Sequence, residues 1–390
     1  MSAVAFLNIA MHGRVNPTVP MVAELVRRGH TVSYHTSPAF AADVEQAGAS
    51  VCLYAGGEQA LPDPPTPITL LAGLARTAVQ VLPGVLDDLR KVRPDLIVHD
   101  SACPWGAVAA RILGVPAASS FTTFAFNRRT PSPTAFGAGM LKQPRAVAAY
   151  VDARWKLRRR GLPLFDLGNL RQPLNLVYTS SVFQLDADDF DDSYCFVGPS
   201  IGARRNDPFP FDRLRGTIAY ISLGTVFAAA PQLLRTLAAA LAPLAGTVVV
   251  ATGQVDPAAL APWPANVLVR RSVPQLEVLA RASLFVTHGG MNGVNEAMYA
   301  GVPMLVVPQG ADQPLVASRV VSLGGGLSIR GQDVTEEAVR GLARRLLEEP
   351  RFRTAAEALQ TAGRESGGYS RAVDELERYL RASADVSRAG

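Results

Sequence analysis

Lysine is nearly missing from this chain of 390 residues: of 38 basic side chains only Lys91, Lys142 and Lys156 are lysines, and the rest are arginine. A net charge of +5 built this way reflects arginine- and alanine-rich coding rather than a nucleic-acid surface, and no nucleic-acid partner is expected. Cysteine is scarce as well. Cys52, Cys103 and Cys195 are too few and too scattered for a disulfide framework or a metal knuckle, so reduced thiols in a cytoplasmic setting are the simplest reading. No apolar run suits stable membrane insertion: the stretch from Leu233 to Thr252 is interrupted by Arg235, Pro243 and Gly246 and resolves into a helix plus a strand. Met1 to Ala10 is apolar but has no charged leader and runs into His12-Gly13-Arg14, which reads as a first strand and not a signal peptide. Also absent are the dinucleotide G-x-G-x-x-G and the P-loop G-x-x-x-x-G-K.

What is present describes an ordinary globular protein, with 48% hydrophobic and 18% charged residues. The length exceeds what one core supports, so two domains are expected. Strand-like runs at Val4–Ile9, Thr31–His35, Leu96–His99 and Ala117–Phe121 alternate with helical stretches, the first opening at Asn16-Pro17 and another covering Pro104 to Leu113. Alternation of this sort means a parallel sheet with helices on both faces. A Pro-rich passage without periodicity follows, and a second α/β series begins with Thr217–Leu223, Thr247–Ala251, Val267–Val269, Leu284–Val286 and Met304–Val307. The expected division is an N-terminal domain over residues 1–200, a linker over 201–216, a C-terminal domain over 217–365, and a final helix and tail over 366–390 returning to the first domain. Ligands on such sheets sit at the carboxyl ends of the strands, so two sheets facing each other define a cleft.

The most informative segment is Thr287-His288-Gly289-Gly290-Met291-Asn292-Gly293-Val294-Asn295-Glu296. It joins a buried strand, Leu284-Phe285-Val286, to a short helix over Glu296–Ala300 closed by Gly301. A Gly-Gly turn feeding a helix N-terminus gathers free N–H groups and the positive end of the helix dipole, which suits a phosphate. Asn292 and Glu296 stand four apart and share one helix face, so this cradle can address a phosphate and then a ribose diol. A plain strand–turn–helix corner with a hydrogen-bonded histidine would carry the same glycines.

His12-Gly13-Arg14-Val15-Asn16-Pro17-Thr18, Ser222-Leu223-Gly224-Thr225, Val273-Pro274-Gln275, the His288 to Glu296 segment, and Gly301-Val302-Pro303 through Pro308-Gln309-Gly310-Ala311-Asp312-Gln313 occur in that order. Together they resemble nucleotide-sugar-dependent glycosyltransferases of the GT-B fold, within them the bacterial macrolide-type natural-product enzymes of family 1. The resemblance implies an α/β fold of two Rossmann-like domains with parallel sheets facing across a cleft. It implies that the C-terminal domain binds a UDP- or dTDP-sugar as co-substrate, with no resident cofactor and no metal. Val273 and Gln275 would lie by the base, in a stretch where many relatives have a tryptophan. His288, Gly289, Gly290, Asn292 and Gly293 would meet the diphosphate with Ser222 and Thr225, Glu296 would bridge the ribose hydroxyls, and Asp312 and Gln313 would hold the sugar.

The chemistry is expected from the other half. His12, on a loop after the first strand, has an ordinary pKa near 6.5 that makes it a usable base for an acceptor alcohol. Asp100, at the end of Leu96–His99, would orient the imidazole and stabilise its protonated form, and the resemblance assigns the same pair. Strand alternation sends His99 to the opposite face from Asp100, and His30 and His35 read as structural. Many relatives carry a second histidine where this chain has Arg14. Direct displacement at the anomeric carbon inverts its configuration, with the helix dipole and His288 offsetting the leaving group's charge. Phe121, Phe124 and Phe126, with the Pro-, Leu- and Ala-rich residues 62–82, suggest a hydrophobic acceptor pocket, for a polyketide, macrolide or flavonoid; the three aromatics are equally readable as core.

The acidic run Asp186 to Asp192 has D-x-D spacing but reads as solvated surface, as does the basic cluster Arg154 to Arg160. A nucleotide-sugar epimerase or a non-catalytic sugar-nucleotide-binding helper would share the cradle. Acceptor, sugar and oligomeric state are not legible, a homodimer being one option.

Overall fold

The computed structural model describes all residues except 56–65, 128, 130–142, 160–168, 205–207, 225–230 and 390. Thr225, Arg160 and residues 62–65, singled out above, therefore lie outside the described residues. The chain divides into two compact units, one formed by Met1–Ala203 with Ser366–Gly390 and the other by Arg204–Glu365.

The first unit is built on seven strands: β1 (Ala3–Leu7), β2 (Thr31–Thr36), β3 (Ser50–Leu53), β4 (Leu96–Asp100), β5 (Ala117–Phe121), β6 (Leu174–Val177) and β7 (Tyr194–Phe196). Their order is β3-β2-β1-β4-β5-β6-β7 and every pairing is parallel. Parallel strands need a crossover on one face or the other, and both faces are used. One face carries α4 (Pro67–Val92), α5 (Pro104–Leu113) and α6 (Pro144–Arg158) over Ala5, Leu7 and Ile97. The opposite face carries α2 (Val19–Arg27), α3 (Pro38–Gln46) and the last helix over Val4, Phe6, Val32 and Val98. That last helix covers Gly368–Ala389 and seats Ala372, Val373 and Leu376 in this second layer.

Two local readings are corrected here. Asn16-Pro17 does not open the first long helix: His12–Val15 forms a one-turn helix, α1, and α2 starts after Thr18 with Pro20 in its first turn. His12 therefore opens a helical turn and does not ride on a loop. Among the described residues one helix, α4, rather than the stretch from Leu233 to Thr252, is long and apolar enough by length and composition to cross a membrane. Its apolar residues are a stripe: Ala75, Ala78, Leu82, Leu86 and Leu89 recur at helical spacing and are buried in the first core layer, while Arg76, Gln80, Asp87 and Arg90 face out.

The second unit has six parallel strands, β8 (Ile218–Ser222), β9 (Thr247–Ala251), β10 (Val267–Arg270), β11 (Leu284–Thr287), β12 (Met304–Val306) and β13 (Gly326–Ser328), in the order β10-β9-β8-β11-β12-β13. Helices α7 (Pro231–Leu241), α8 (Gln275–Leu279), α9 (Met291–Ala300), α10 (Gln313–Ser322), α11 (Glu336–Glu348) and α12 (Pro350–Glu365) cover it, and the Gly368–Ala389 helix of the first unit is α13. Val248, Val250, Leu284, Val286 and Leu305 are fully buried under α7 and α11. A continuous Val/Leu strand sequence is what a sheet covered on both faces requires.

In each sheet the strand order reverses once, between β1 and β4 and between β8 and β11. Loops leaving a sheet at such a reversal part to opposite faces and open a crevice at the strand ends. The residues that follow β1 and β4 are those around His12 and Asp100; those following β8 and β11 are Leu223-Gly224 and His288-Gly289-Gly290.

Candidate functional site

In the second unit Ser222 pairs in register with Thr287, so the β8 and β11 loops leave the sheet side by side. His288 is held between them by two glycines. A Cβ on Gly224, whose φ is +83°, would lie 2.7 Å from the imidazole Nε2, and one on Gly290 would lie 2.5 Å from the same atom. Only hydrogen at both positions leaves room for the ring. Gly289, at φ +86°, sits under Val306 and the Gln313 carbonyl, where a side chain would clash as well as strain the backbone; Gly293 meets only ordinary contacts.

Burial lowers the His288 pKa to about 4 against the opposing pull of Asp312 and the Ser222 backbone. At pH 7 only about one ring in a thousand is then protonated. In the free protein the ring is therefore a neutral hydrogen-bond donor or acceptor beside the cradle, and its Nδ1 is buried without a hydrogen-bonding partner.

Gly290 caps α9, which runs from Met291 to Ala300 and ends at Gly301 with φ +71°, so the helix is a full turn longer at its start than the sequence suggested. The first N–H groups of this ten-residue helix have no partner within it, although the Gly289 N–H already donates to Thr287 Oγ1 at 3.3 Å. Behind this terminus stands Glu296, whose side chain is fully buried. Its Oε1 accepts from Asn292 Nδ2 at 2.7 Å and from Arg204 Nη2 at 2.6 Å, and its Oε2 from Gln275 Nε2 at 2.6 Å. Gln275 is fixed in turn by the Tyr220 hydroxyl, which donates to its Oε1 at 2.8 Å. Three donors converge on this one buried carboxylate and hold it in place. Sequence spacing brought out Asn292 and Glu296; Arg204 and Tyr220 come from a loop and a neighbouring strand and left no local signal.

The remaining expected donor residues fall around this core. Ser222 and Val273 are half-buried. Asp312 precedes α10 without a side-chain cap bond. Gln313 is 3% exposed, and its Oε1 accepts from the Gln309 and Gly310 N–H groups at 2.8 and 3.1 Å, so it shapes the loop after β12.

In the first unit His12 lies edge-on to Phe40, ring centroids 4.9 Å apart. The Asp100 carboxylate, fully buried, accepts from Arg14 Nη1 at 3.2 Å on both oxygens and from the Ala102 N–H at 2.7 Å. Asn8 anchors α1, donating through Nδ2 to the Arg14 carbonyl and to the Tyr34 hydroxyl, both at 2.9 Å. Arg14, weighed above only as a departure from relatives, is thus a partner of the carboxylate assigned to catalysis. His99 turns away to Gln172: the Gln172 Nε2 donates to its Nε2 at 2.7 Å, leaving Nδ1–H to donate to the Asp100 carbonyl at 2.9 Å.

Phe121, Phe124 and Phe126 are at most 3% exposed. Phe121 shares a core cluster with Ala125, Val177 and Tyr194, and Phe124 stacks on Phe183 at 5.6 Å. In the free protein all three are packed in the interior. The five aspartates from Asp186 to Asp192 are exposed, and Asp189 pairs with Arg129 at 2.8 Å. Lys156, Arg158 and Arg159 of the basic cluster are exposed on α6.

Comparison with known proteins places this geometry. Residues 214–365 match the family described as UDP-glucoronosyl and UDP-glucosyl transferase. The NDP-glycosyltransferase YjiC of Bacillus subtilis (strain 168) is 33% identical, the match covering 98% of this chain and 98% of that protein. The oleandomycin glycosyltransferase of Streptomyces antibioticus is also 33% identical, over 97% of this chain and 90% of the relative. Among solved structures, the glycotransferase of kitacinnamycin superposes with a TM-score of 0.85 at 32% identity, covering 97% of this chain and 99% of its own. The chain belongs to this family: it is a nucleotide-sugar-dependent glycosyltransferase of the GT-B fold.

Proposed function

We propose that this transferase moves a sugar, with inversion, from a UDP- or dTDP-sugar to a hydroxyl of an apolar small molecule of polyketide, macrolide or flavonoid type. The observation that carries the donor half is Glu296, a fully buried carboxylate held by Arg204, Gln275 and Asn292 behind the start of α9. A carboxylate held there accepts hydrogen bonds from a vicinal diol, and the diphosphate next to it meets the free N–H groups of the helix. Names of relatives that refer to oleandomycin and kitacinnamycin support an acceptor of that kind.

In this reading His12 takes the proton of the acceptor hydroxyl as its oxygen attacks the anomeric carbon. The bond from that carbon to the diphosphate oxygen breaks, and its electron pair leaves with the nucleoside diphosphate. The leaving charge develops against the α9 terminus and the neutral His288, so the mechanism calls on no metal. Asp100 orients the imidazole and stabilises its protonated form, while its half-buried ion pair with Arg14 fixes α1, the turn His12 opens.

His12→Ala should abolish transfer while nucleotide affinity stays within about twofold, since the base and the donor cradle belong to different units. Product formation is read by mass spectrometry over a panel of donors and acceptors, and nucleotide affinity by calorimetry. Turnover unchanged in His12→Ala rules the mechanism out.

A further inference from the structure

On the edge of the first sheet three metal-ligating side chains meet that belong to neither candidate site. His35 on β2 pairs in register with Cys52 on β3, so both side chains emerge on the same sheet face, and Asp88 of α4 comes down over them. One donor atom from each lies within 4.8 Å of the others, and His35 Nε2 is 3.8 Å from Asp88 Oδ2. The imidazole is 1% exposed, and neither ring nitrogen has a partner in hydrogen-bonding geometry. Burying an imidazole unpaired is costly, and a structural histidine would normally be satisfied. Tyr54, whose ring lies 6.1 Å from that of His35, spends its hydroxyl on Asn8 and Trp105.

We propose that His35, Cys52 and Asp88 form a three-ligand site for a divalent transition ion, Zn2+ foremost, with water in the fourth position. Zinc accepts this mixture of nitrogen, sulfur and oxygen donors in a tetrahedron whose ligand atoms stand about 3.5 Å apart. Closing the present cluster onto an ion thus takes about an ångström of movement, which Asp88, 37% exposed on its helix, can supply. Charge favours the same ion: a thiolate and a carboxylate neutralise a dication, and the imidazole enters uncharged. On binding, the Cys52 sulfur–hydrogen bond gives way to a sulfur–metal bond and one proton is released to solvent. Lys91, 3.5 Å from Asp88 and 77% exposed, is the competing partner, and it can swing into water. The ion would staple β2 and β3 to α4 and leave the transfer chemistry to other residues.

The test uses the untagged, reduced full chain after dialysis against chelator. Titration with Co2+ should give one equivalent of binding, a thiolate-to-cobalt charge-transfer band and displacement by Zn2+. Cys52→Ser should abolish the band. Asp88→Asn, at a position exposed enough to fold, should weaken Zn2+ by roughly tenfold or more. Unchanged hydrogen-exchange protection of the β1 and β4 amides shows that the first unit of the variants is folded. Absence of the band in the wild type, its survival in Cys52→Ser, or equal Zn2+ affinity in Asp88→Asn would each overturn the proposal.

Discussion

Acidification should loosen the second unit through His288, the only histidine among the five that lies within Arg204–Glu365. Burial holds this ring at a pKa of about 4, against 6.5 in the unfolded chain. The sign follows from proton counting. Between those two values the unfolded state binds more protons than the folded one, so the contribution is complete above pH 6.5, declines as pH falls, and is gone below about 4. The two pKa values correspond to about 3 kcal/mol, a ceiling because the ring is partly exposed and water screens it. Hydrogen exchange of the β8 and β11 amides reads the opening free energy of this unit directly. Comparing wild type with His288→Gln from pH 8 to pH 4, the wild type should lose up to about 3 kcal/mol more than the variant, nearly all of it below pH 6.5. A difference that stays flat through that window, or an imidazole resonance titrating near 6.5, refutes the assignment. The same ring supplies a functional readout. If the diphosphate sits beside His288 as proposed, nucleotide binding should take up part of a proton near pH 5 and none at pH 8, measurable by calorimetry in two buffers of different ionisation enthalpy.

Gly290→Ala tests the vise around the same ring without backbone strain, since Gly290 has φ −63°: it should cost about 1–3 kcal/mol by overpacking and weaken nucleotide binding. In a His288→Ala background, which removes the three atoms nearest that Cβ, the cost should fall sharply; an equal cost in both backgrounds in urea unfolding refutes the steric account. Glu296→Gln keeps the shape but turns an NH2 toward donors and strands Arg204, and should destabilise the second unit by about 2–3 kcal/mol and abolish nucleotide binding. A double-mutant cycle with Arg204→Gln should return a coupling of about 1–3 kcal/mol, and additivity would dismiss the ion pair. Arg14→Ala leaves the buried Asp100 with the Ala102 N–H as its remaining partner among those described above and should cost about 2 kcal/mol, with Arg14→Lys recovering part of it; an effect under about 0.5 kcal/mol in urea unfolding would show that Asp100 does not depend on the guanidinium.

How far the sequence speaks depends on how local each signal is. The strands that lead to the candidate sites were legible because buried parallel strands are short Val/Ile/Leu runs between turns: β1, β4, β8 and β11 all read directly. Strands β3, β6, β7 and β13 were not, since each is three or four residues long and β3 and β6 carry Ser50, Cys52 and Asn175 among their apolar residues. Helical spacing likewise exposed the Asn292–Glu296 bond, while nothing local announces that Arg204, 92 positions away, reaches the same carboxylate. Phe121, Phe124 and Phe126 show the reverse difficulty. An aromatic lining a pocket and an aromatic filling a core leave the same trace in a sequence, and here the packing against Val177, Phe183 and Tyr194 comes from residues more than fifty positions away. His35 and Cys52 extend the point to chemistry. Seventeen positions apart in the chain, they look unrelated until parallel pairing of β2 with β3 sets them directly opposite each other. Long-range register, which no periodicity encodes, is what turns isolated reactive residues into a site.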